Sequence, residues 1–298
     1  MNILLTGGTG LIGKHVASRL HDENHSLFIL TRGNIANSQG IQFIQWDGKS
    51  PEGWGAIIST IDVVINLAGE PLTKWPWTKG NKQRFEESRI NAGRALLEAI
   101  QKSPKRPKLL IQISGINHYG FEGPTADENT QPGSDFLSNL TQYWEDATKK
   151  VEELGVRRCV ARLAVVLSQE GGLFPLMLLP VRMFFGGPNG SGNQFLPWIH
   201  IHDVTEAILF LINNEKSNGP YNFVAPEMAT NALFNKTLAK ELHRPYWLRI
   251  PASVFRLLLG EMSVLILKGR SAVPKRLLEE NFYFKFDTLS KAIKDLVM

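Results

Sequence analysis

The sequence predicts an α/β protein with a doubly wound parallel sheet and a smaller C-terminal α+β lobe. An apolar run at residues 2–5 ends in a glycine turn, and a stretch with helical periodicity follows at once. Short apolar runs then alternate with helical stretches as far as residue 167, which is typical of parallel strands covered on both faces. Beyond residue 167 the pattern gives way to glycine-dense and proline-bearing segments, which indicates a second unit.

The alternation defines the expected elements in chain order. We expect a sheet of about six or seven strands through residue 167, with strands at residues 2–5, 26–31, 41–45, 62–67, 109–113 and 156–167. Residues 221–224 fit a short strand of the second unit. The expected helices occupy residues 11–20, 83–102, 136–154, 204–213 and 231–242. Residues 247–250 fit a further edge strand, and Asp203 is placed to cap the helix that follows it.

This order divides the chain into two expected units. Residues 1–167 and 201–215 form a Rossmann-type nucleotide-binding domain. Residues 168–200 and 216–298 form a smaller lobe that binds the substrate.

Composition and charge exclude several classes of partner. With 33 basic and 28 acidic residues among 298, and no dense basic stripe, nucleic acid is not an expected partner. The apolar stretches 173–185 and 254–267 are too short and too interrupted to span a membrane. They fit helices of an apolar lobe or a subunit contact, so a monomer and a homodimer both remain open. The single Cys159 excludes an intrachain disulfide, fits a cytoplasmic protein and lies in a run typical of a buried thiol.

The first turn of the chain carries the strongest functional signal. Its glycines follow a strand and open a helix at the spacing G-x-x-G-x-x-G. Such glycines permit a sharp turn, the approach of a phosphate and close packing of the helix on the strand. The N–H groups at the helix N-terminus suit a pyrophosphate. The sequence therefore predicts a dinucleotide site with contacts from Gly7, Thr9, Gly10, Leu11, Ile12 and Gly13.

The end of the second expected strand indicates which dinucleotide binds. An acidic residue here would bind the ribose 2′-hydroxyl and repel a 2′-phosphate. This chain has Thr31 and Arg32 instead, and a guanidinium matches phosphate geometry. We therefore expect NADP(H) in preference to NAD(H), the alternative being that Arg32 is a solvated loop residue. Asp47, after the third strand, could reach the adenine amino group or only begin a turn.

Three later strand ends supply the remaining candidate contacts with the cofactor. The fourth strand ends in small residues that would let the chain pass close to the dinucleotide. Ser114 follows the fifth strand, and Arg162, near the end of the sixth, could contact the cofactor or an anionic substrate. The expected contacts are Leu67, Ala68, Gly69, Glu70, Ser114 and Arg162.

Four segments together resemble the extended short-chain dehydrogenase/reductase superfamily: TGGTGLIG at the N-terminus, NLAGEP at 66–71, ISG to YG at 113–120, and WIHIHD at 198–203. The segment GGPNGSGNQFLPWIHIHD at 186–203 is similar to the atypical, epimerase-like subgroup typified by bacterial YfcH. The resemblance covers essentially the whole chain. It implies a Rossmann fold with a small C-terminal lobe and binding of NAD(P)(H).

The helix that should carry the catalytic pair departs from the superfamily pattern. Members that perform chemistry use a tyrosine and a lysine four residues on, the lysine lowering the pKa of the tyrosine. Here Tyr143 is followed at that spacing by Ala147. Aligning the helix on its Trp-Glu pair puts Leu140 and Trp144 at the two catalytic positions. The resemblance therefore implies a cofactor without implying a particular reaction.

The candidate catalytic residues are Ser114, Tyr119 and Glu70. Ser114 could hydrogen-bond a substrate carbonyl or only satisfy the backbone at the strand end. Tyr119 is a candidate acid, but without a lysine it would be a poor base at neutral pH. Glu70 could act as a base or ribose ligand, or could cap a helix. His118 titrates near neutrality and could substitute, unless it is a surface loop residue.

A metal site is not expected. His200 and His202 are two apart on a strand-like run, so they would point to opposite faces, and a third ligand is not evident. Both fit structural polar contacts. Trp75, Trp77 and Trp198 could wall an apolar substrate site, or could simply pack in the core.

Two classes of function stay open. The chain fits an NADP(H)-dependent oxidoreductase or epimerase with a non-standard acid/base set and an unknown small-molecule substrate. The alternative is a non-catalytic NADP(H)-binding protein that senses redox state or binds a partner. A division-related interaction protein is a third alternative, for which no motif supplies a mechanism.

Overall fold

The computed structural model, which describes residues 1–297, contains a central sheet of seven parallel strands in the order β3-β2-β1-β4-β5-β6-β9. The strands are β1 (Asn2–Thr6), β2 (Ser26–Thr31), β3 (Ile41–Gln45), β4 (Val63–Asn66), β5 (Leu109–Gly115), β6 (Arg157–Leu163) and β9 (Gly219–Phe223). β7 (Val165–Leu167) and β8 (Trp198–His200) form a separate parallel pair. The predicted α/β fold class is confirmed.

The central strands are apolar because helices cover both faces of the sheet. Leu4, Ile65 and Ile111 have no exposed surface. One face packs against α1 (Leu11–Asp22) and α5 (Ile201–Asn213), and the other packs against α2 (Lys79–Lys102). Burial of such side chains stabilises each strand by about 1.5–3 kcal/mol per large residue. This packing fixes the carboxyl edge of the sheet, where the loops converge.

The remaining helices belong to the second face and to the C-terminal half. They are α3 (Phe136–Asp146), α4 (Phe174–Arg182), α6 (Asn231–Glu241), α7 (Ala252–Leu259), α8 (Val264–Leu267), α9 (Lys275–Glu279) and α10 (Leu289–Val297). α4, α6 and α10 surround an apolar core of their own, which includes Phe174, Phe234 and Ile293. This second core is the centre of the small lobe.

Several predicted element boundaries were wrong. α2 begins at Lys79, because the Thr78 hydroxyl accepts a hydrogen bond from the backbone N–H of Asn81 and caps the helix there. α3 ends at Asp146, and a 3₁₀ turn at Lys149–Leu154 replaces the rest of the expected helix. The expected strand 156–167 is two strands, since the chain leaves the main sheet at Ala164 and pairs again with β8.

The structure also corrects three predictions in the C-terminal half. β9, assigned with 216–298 to the small lobe, is the seventh strand of the main sheet and pairs with β6. Residues 247–250 form no strand and make only isolated bridges, such as Asn189 with Ile250. His200, not Asp203, caps α5: its Nδ1 accepts from the N–H of His202, whereas the Asp203 carboxylate accepts from the N–H groups of Lys285 and Phe286.

Two expectations from the sequence, a buried Cys159 and the absence of membrane-spanning stretches, can be compared with the structure. Cys159 is fully buried, and burial raises the pKa of its thiol to about 11, so it is a packed side chain and not a nucleophile. Across residues 1–297, every helix is too short or too polar to cross a membrane.

Candidate functional site

A cavity of about 450 Å³ lies at the carboxyl edge of the sheet, between the sheet and the small lobe. The glycine turn after β1 lines one end of it. The loops after β4 and β5 line its middle, and residues 163–166, 195–197, 265 and 268–272 close the far side. In open α/β sheets ligands bind at this edge, where the strand order reverses. Here the order reverses between β1 and β4.

The glycine turn has the geometry of a phosphate cradle. A Cβ on Gly7 would lie 2.8 Å from the Leu67 carbonyl oxygen, and Gly7 has a φ of +65°. A Cβ on Gly13 would lie 2.3 Å from the Gly7 carbonyl oxygen, so helix and turn touch there. Gly10 is the N-cap of α1, and no side chain caps the helix or places an acid in its first turn. The unpaired N–H groups of this helix end therefore face the cavity without a competing anion.

The expected adenosine-side residues lie outside the walls of this cavity. Arg32 is exposed just after β2, and the Thr31 hydroxyl accepts a hydrogen bond from the N–H of Gly33. Asp47 is also exposed, and its carboxylate accepts from the N–H groups of Lys49 and Ser50. Those two hydrogen bonds hold the pKa of Asp47 below its usual value. The hydrogen bonds of Asp47 match the alternative in which it only begins a turn. Arg32 is exposed to solvent.

The loop after β4 brings Leu67, Gly69 and Glu70 to the cavity wall. Its path is fixed where Ala68 N–H donates to the Thr6 hydroxyl, and where Glu70 N–H donates to Ser88 Oγ. The Glu70 carboxylate forms an ion pair with Lys74, one turn away in the same loop. Glu70 therefore lies beside the cavity with its charge already partnered.

Ser114 and Arg162 face one another across β5 and β6 and share a single carboxylate. Glu145 of α3 accepts at Oε1 from Ser114 Oγ at 2.8 Å and from Arg162 Nε at 2.9 Å, and at Oε2 from Arg162 Nη2 at 2.9 Å. Burial alone would raise the pKa of Glu145, but the hydrogen bonds and charge of Arg162 outweigh it and hold that pKa below its usual value. Ser114 lines the cavity, while the buried Arg162 guanidinium lies behind it.

Tyr119 has a hydroxyl committed to this same cluster. It donates to Asn222 Oδ1 at 2.7 Å and accepts from Arg162 Nη1 at 2.8 Å. Burial raises the pKa of Tyr119 to about 12, more than the nearby arginine lowers it. The phenol is therefore neutral at physiological pH, and its proton is held by the protein. Ser114, Glu145, Arg162, Tyr119 and Asn222 are called the Glu145 cluster below.

His118 is buried beside the Glu145 cluster and is not the surface loop residue that one reading allowed. Its Nδ1 lies 3.5 Å from Glu145 Oε1, and burial lowers the pKa of His118 to about 4. The imidazole is therefore neutral at pH 7. Ser114, Glu70 and Tyr119 line one cavity, whereas His118 stands behind it.

The most unusual group in the cavity wall is Arg89 of α2, which the sequence analysis did not select. Its side chain is 6% exposed, and its Nη1 donates to the Phe85 carbonyl at 2.9 Å. The guanidinium carbon lies 4.6 Å from the ring centre of Trp144, which also lines the cavity. A Cβ on Gly69 would lie 3.2 Å from that carbon, so the glycine makes room for the cation.

Helical spacing supplies the signal that could have found these missed residues. Arg89 follows Phe85 by four positions and precedes Ala92 by three, and both neighbours are buried. A charged residue on the apolar face of a helix is therefore expected to be buried. Glu145 likewise follows the buried Thr141 by four positions. The lobe residues that close the cavity carry no comparable pattern.

The two histidines of the WIHIHD segment have structural contacts. His200 ends β8, and its ring packs on Phe286 at 3.8 Å between centroids. Burial lowers the pKa of His200 to about 4. Within residues 1–297, side chains that could ligate a metal form no cluster of three or more. The three tryptophans lie away from the cavity wall: Trp198 is fully buried, Trp77 packs on Phe136, and Trp75 is largely exposed.

The chain is similar in sequence to a known family over most of its length, including the glycine turn after β1. Residues 3–224 match the NAD dependent epimerase/dehydratase family. The chain belongs to that family. It is accordingly a member of the extended short-chain dehydrogenase/reductase superfamily, as the sequence motifs indicated. Residues 250–296 match a second family, described as a domain of unknown function, DUF1731.

Two bacterial relatives are similar over essentially their whole lengths. The epimerase family protein YfhF of Bacillus subtilis is 38% identical, over 100% of this chain and 98% of the relative. The epimerase family protein SAR0825 of Staphylococcus aureus is also 38% identical, over 99% of this chain and 98% of the relative. The similarity therefore covers the small lobe as well as the main sheet.

Solved structures extend the similarity to three dimensions. The human epimerase family protein SDR39U1, crystallised with NADPH, is 31% identical and superposes with a TM-score of 0.91 over 99% of both chains. A nucleoside-diphosphate sugar epimerase from Corynebacterium glutamicum is 26% identical with a TM-score of 0.81, covering 100% of this chain and 58% of that one. A UDP-glucose 4-epimerase from Thermus thermophilus, in complex with NAD, shares the fold at 17% identity and a TM-score of 0.77.

Proposed function

We propose that this protein binds NADP(H) in the cavity at the carboxyl edge and acts as an oxidoreductase or epimerase on a small molecule. The glycine cradle carries the proposal, because the Cβ positions of Gly7 and Gly13 are occupied by backbone while Gly10 leaves an open helix N-terminus. A pyrophosphate fits that opening. We assign dinucleotide binding to residues 1–167 and 201–215, now joined in the main sheet by β9, and contact with the substrate to the lobe residues on the far wall.

Two observations support NADP(H) over NAD(H). Arg32 lies at the end of β2 with its guanidinium exposed, where the adenosine ribose of a Rossmann protein lies. The human relative was crystallised with NADPH. A 2′-phosphate would gain a charged, forked partner from Arg32, and the 2′-hydroxyl of NAD would not.

The cofactor would supply hydride transfer, and the chain would supply orientation and proton handling. Ser114 already donates its hydrogen to Glu145, so its oxygen is free to accept from a substrate hydroxyl at the cavity wall. Glu70 is the candidate for moving a proton, once Lys74 releases its carboxylate. We assign Tyr119 a positioning role, since its hydroxyl is held by Arg162 and Asn222. In this scheme Ser114 and Glu70 touch the substrate.

The binding of the Tyr119 hydroxyl favours a second candidate function, a non-catalytic NADP(H) sensor or partner-binding protein. Leu140 and Trp144 of α3 are buried, and aligning the helix on its Trp-Glu pair would put them where the superfamily has its tyrosine and lysine. If Ser114 and Glu70 are not catalytic either, the cavity holds a cofactor without a proton donor. Steady oxidation of NADPH by any small carbonyl compound, followed as a loss of absorbance at about 340 nm, would exclude this candidate.

The cofactor preference is tested by titrating the protein with NADPH and NADH and following nucleotide fluorescence. We expect Arg32→Ala to weaken NADPH binding about 10- to 100-fold and to leave NADH binding unchanged, because only the 2′-phosphate loses its partner. Lys105→Ala removes an exposed cation before β5 and is the matched control. Equal weakening of both nucleotides by Arg32→Ala would contradict the preference for NADP(H).

Catalysis is tested with the same protein once a substrate has been found by screening small carbonyl compounds. Ser114→Ala and Glu70→Gln should each reduce kcat at least about tenfold while leaving the NADPH affinity within about twofold. If both variants turn over at the wild-type rate, the assignment of these two residues is wrong.

A further inference from the structure

We propose that Arg89 binds the ribose-phosphate unit on the nicotinamide side of the dinucleotide, from α2 instead of from the helix on which the superfamily carries its lysine. This inference rests on the proposed binding of NADP(H). It assigns a cofactor contact to a residue outside the superfamily motif.

Arg89 is one of three deeply buried arginines, and it differs from the other two in its partners. Arg158 pairs with Glu152 at 2.9 Å, and Arg162 pairs with Glu145 at 2.9 Å. Among residues 1–297, by contrast, Arg89 forms no ion pair, and its Nε has no hydrogen-bond partner. A buried guanidinium is costly unless its charge and its N–H groups are satisfied.

The protein does not relieve this cost by neutralising the side chain. Burial lowers the pKa of Arg89 to about 10, with the Glu70 carboxylate opposing the shift, so the guanidinium stays charged at pH 7. Arg89 has five N–H donors and uses one on the Phe85 carbonyl. Nε is buried against Gly69, and Nη2 has no hydrogen-bond partner among the described residues, while Arg89, Gly69 and Trp144 together line the cavity. A ligand with oxygen acceptors and negative charge would satisfy the guanidinium.

The order of the strands indicates which part of the dinucleotide lies there. The pyrophosphate is expected over the glycine turn after β1, and the adenosine lies toward β2 and β3. The other half must then extend across β4, the next strand on the opposite side. Neighbouring strands are about 4.8 Å apart, which is close to the length of one sugar unit. Gly69 follows β4, so the group above it is the ribose-phosphate unit of the nicotinamide half.

The experiment compares two ligands on matched variants. NADPH contains both halves of the dinucleotide, whereas adenosine 2′,5′-bisphosphate contains only the adenosine side. We expect Arg89→Met to weaken NADPH binding about 10- to 100-fold and to leave adenosine 2′,5′-bisphosphate binding within about twofold. Arg89→Lys keeps the charge and should recover part of the NADPH affinity.

Stability without ligand supplies an independent readout. Methionine is close to arginine in length, and replacing an unpaired buried charge by an apolar side chain is often neutral or stabilising. Arg89→Met without nucleotide should therefore melt at or above the wild-type temperature, while the rise in melting temperature caused by NADPH should shrink. Arg158→Met removes an equally buried but paired arginine; it should melt lower and bind NADPH as the wild type does.

Three results would overturn the inference. The first is NADPH binding by Arg89→Met within about twofold of the wild type. The second is equal weakening of both ligands, which would place the effect outside the nicotinamide half. The third is a loss of stability in both Arg89→Met and Arg89→Lys as large as that in Arg158→Met, which would make Arg89 structural. A wild-type protein that fails to bind NADPH would instead contradict the proposed function itself.

Discussion

Two charged groups lie beside the same cavity and are satisfied in opposite ways. In the Glu145 cluster, one carboxylate accepts from Ser114 and from two nitrogens of Arg162, so the charges balance within the protein. Arg89 lies nearby with one carbonyl partner and an unpartnered Nε. The first arrangement holds the ends of β5, β6 and α3 together without a ligand. The Arg89 guanidinium, by contrast, lacks an ion-pair partner until a ligand enters the cavity.

Whether a buried charged side chain has a partner within the protein distinguishes a structural role from a ligand-binding role, a distinction that the sequence motifs do not make. Arg162 was expected to contact the cofactor or an anionic substrate, yet its fork is used on Glu145 and Tyr119. Arg89 belongs to no motif, lines the cavity wall and has an Nε without a hydrogen-bond partner. For these two arginines, the hydrogen bonds and ion pairs made within the protein therefore indicate the role better than a position at the end of a strand.

The comparison would be broken most severely by removing the carboxylate of Glu145. Glu145→Gln leaves the buried Arg162 without a counter-ion, so we expect the free energy of unfolding to fall by about 3–5 kcal/mol, measured by urea denaturation. Glu152→Gln is the matched control, because that carboxylate is 48% exposed beside Arg158, and it should cost less than about 1 kcal/mol. If the free energy of unfolding falls by a similarly small amount in both variants, the Glu145 carboxylate does not balance the buried charge of Arg162.

The pH dependence of stability gives a second test, through His118. Its pKa is about 4 in the folded protein and near its ordinary value when unfolded. Between those values the unfolded state binds more protons, so stability falls as the pH falls. Relative to His118→Gln, the wild type should lose about 2 kcal/mol between pH 7 and pH 5. Unfolding curves whose difference stays constant over that range would show that His118 is not held neutral.

Tyr119→Phe should have the smallest effect of the three. It removes a hydroxyl that links Arg162 to Asn222, so we expect a loss of about 1–2 kcal/mol in stability with NADPH affinity within about twofold of wild type. Tyr143→Phe, on the exposed face of α3, is the control and should change neither quantity. A large loss of NADPH affinity in Tyr119→Phe would place that hydroxyl at the ligand and blur the comparison.

The sequence predicted those parts of the fold that depend on residues close together in the chain, namely the strands, the helices and the glycine turn. The buried strands and the turn at Gly7 to Gly13 were predicted because apolar runs and glycine spacing are short-range signals. β9 was assigned to the wrong unit because its pairing with β6 joins Cys159 to Gly219, which no local pattern encodes. Arg89 and Glu145 were missed because mid-helix charges usually face solvent, and only their spacing from buried neighbours distinguishes them.

The path of the chain through β9 limits how the protein can be divided. After β6 the chain leaves for the small lobe, returns along α5 to place β9 at the sheet edge, and then leaves again. Phe282 and Phe284, still later in the chain, pack into the core of the main sheet. A fragment cut at residue 167 would therefore expose one side of β6 and lose part of that core. Expression of the nucleotide-binding part alone, or exchange of the lobe between relatives at a single junction, should yield aggregating protein.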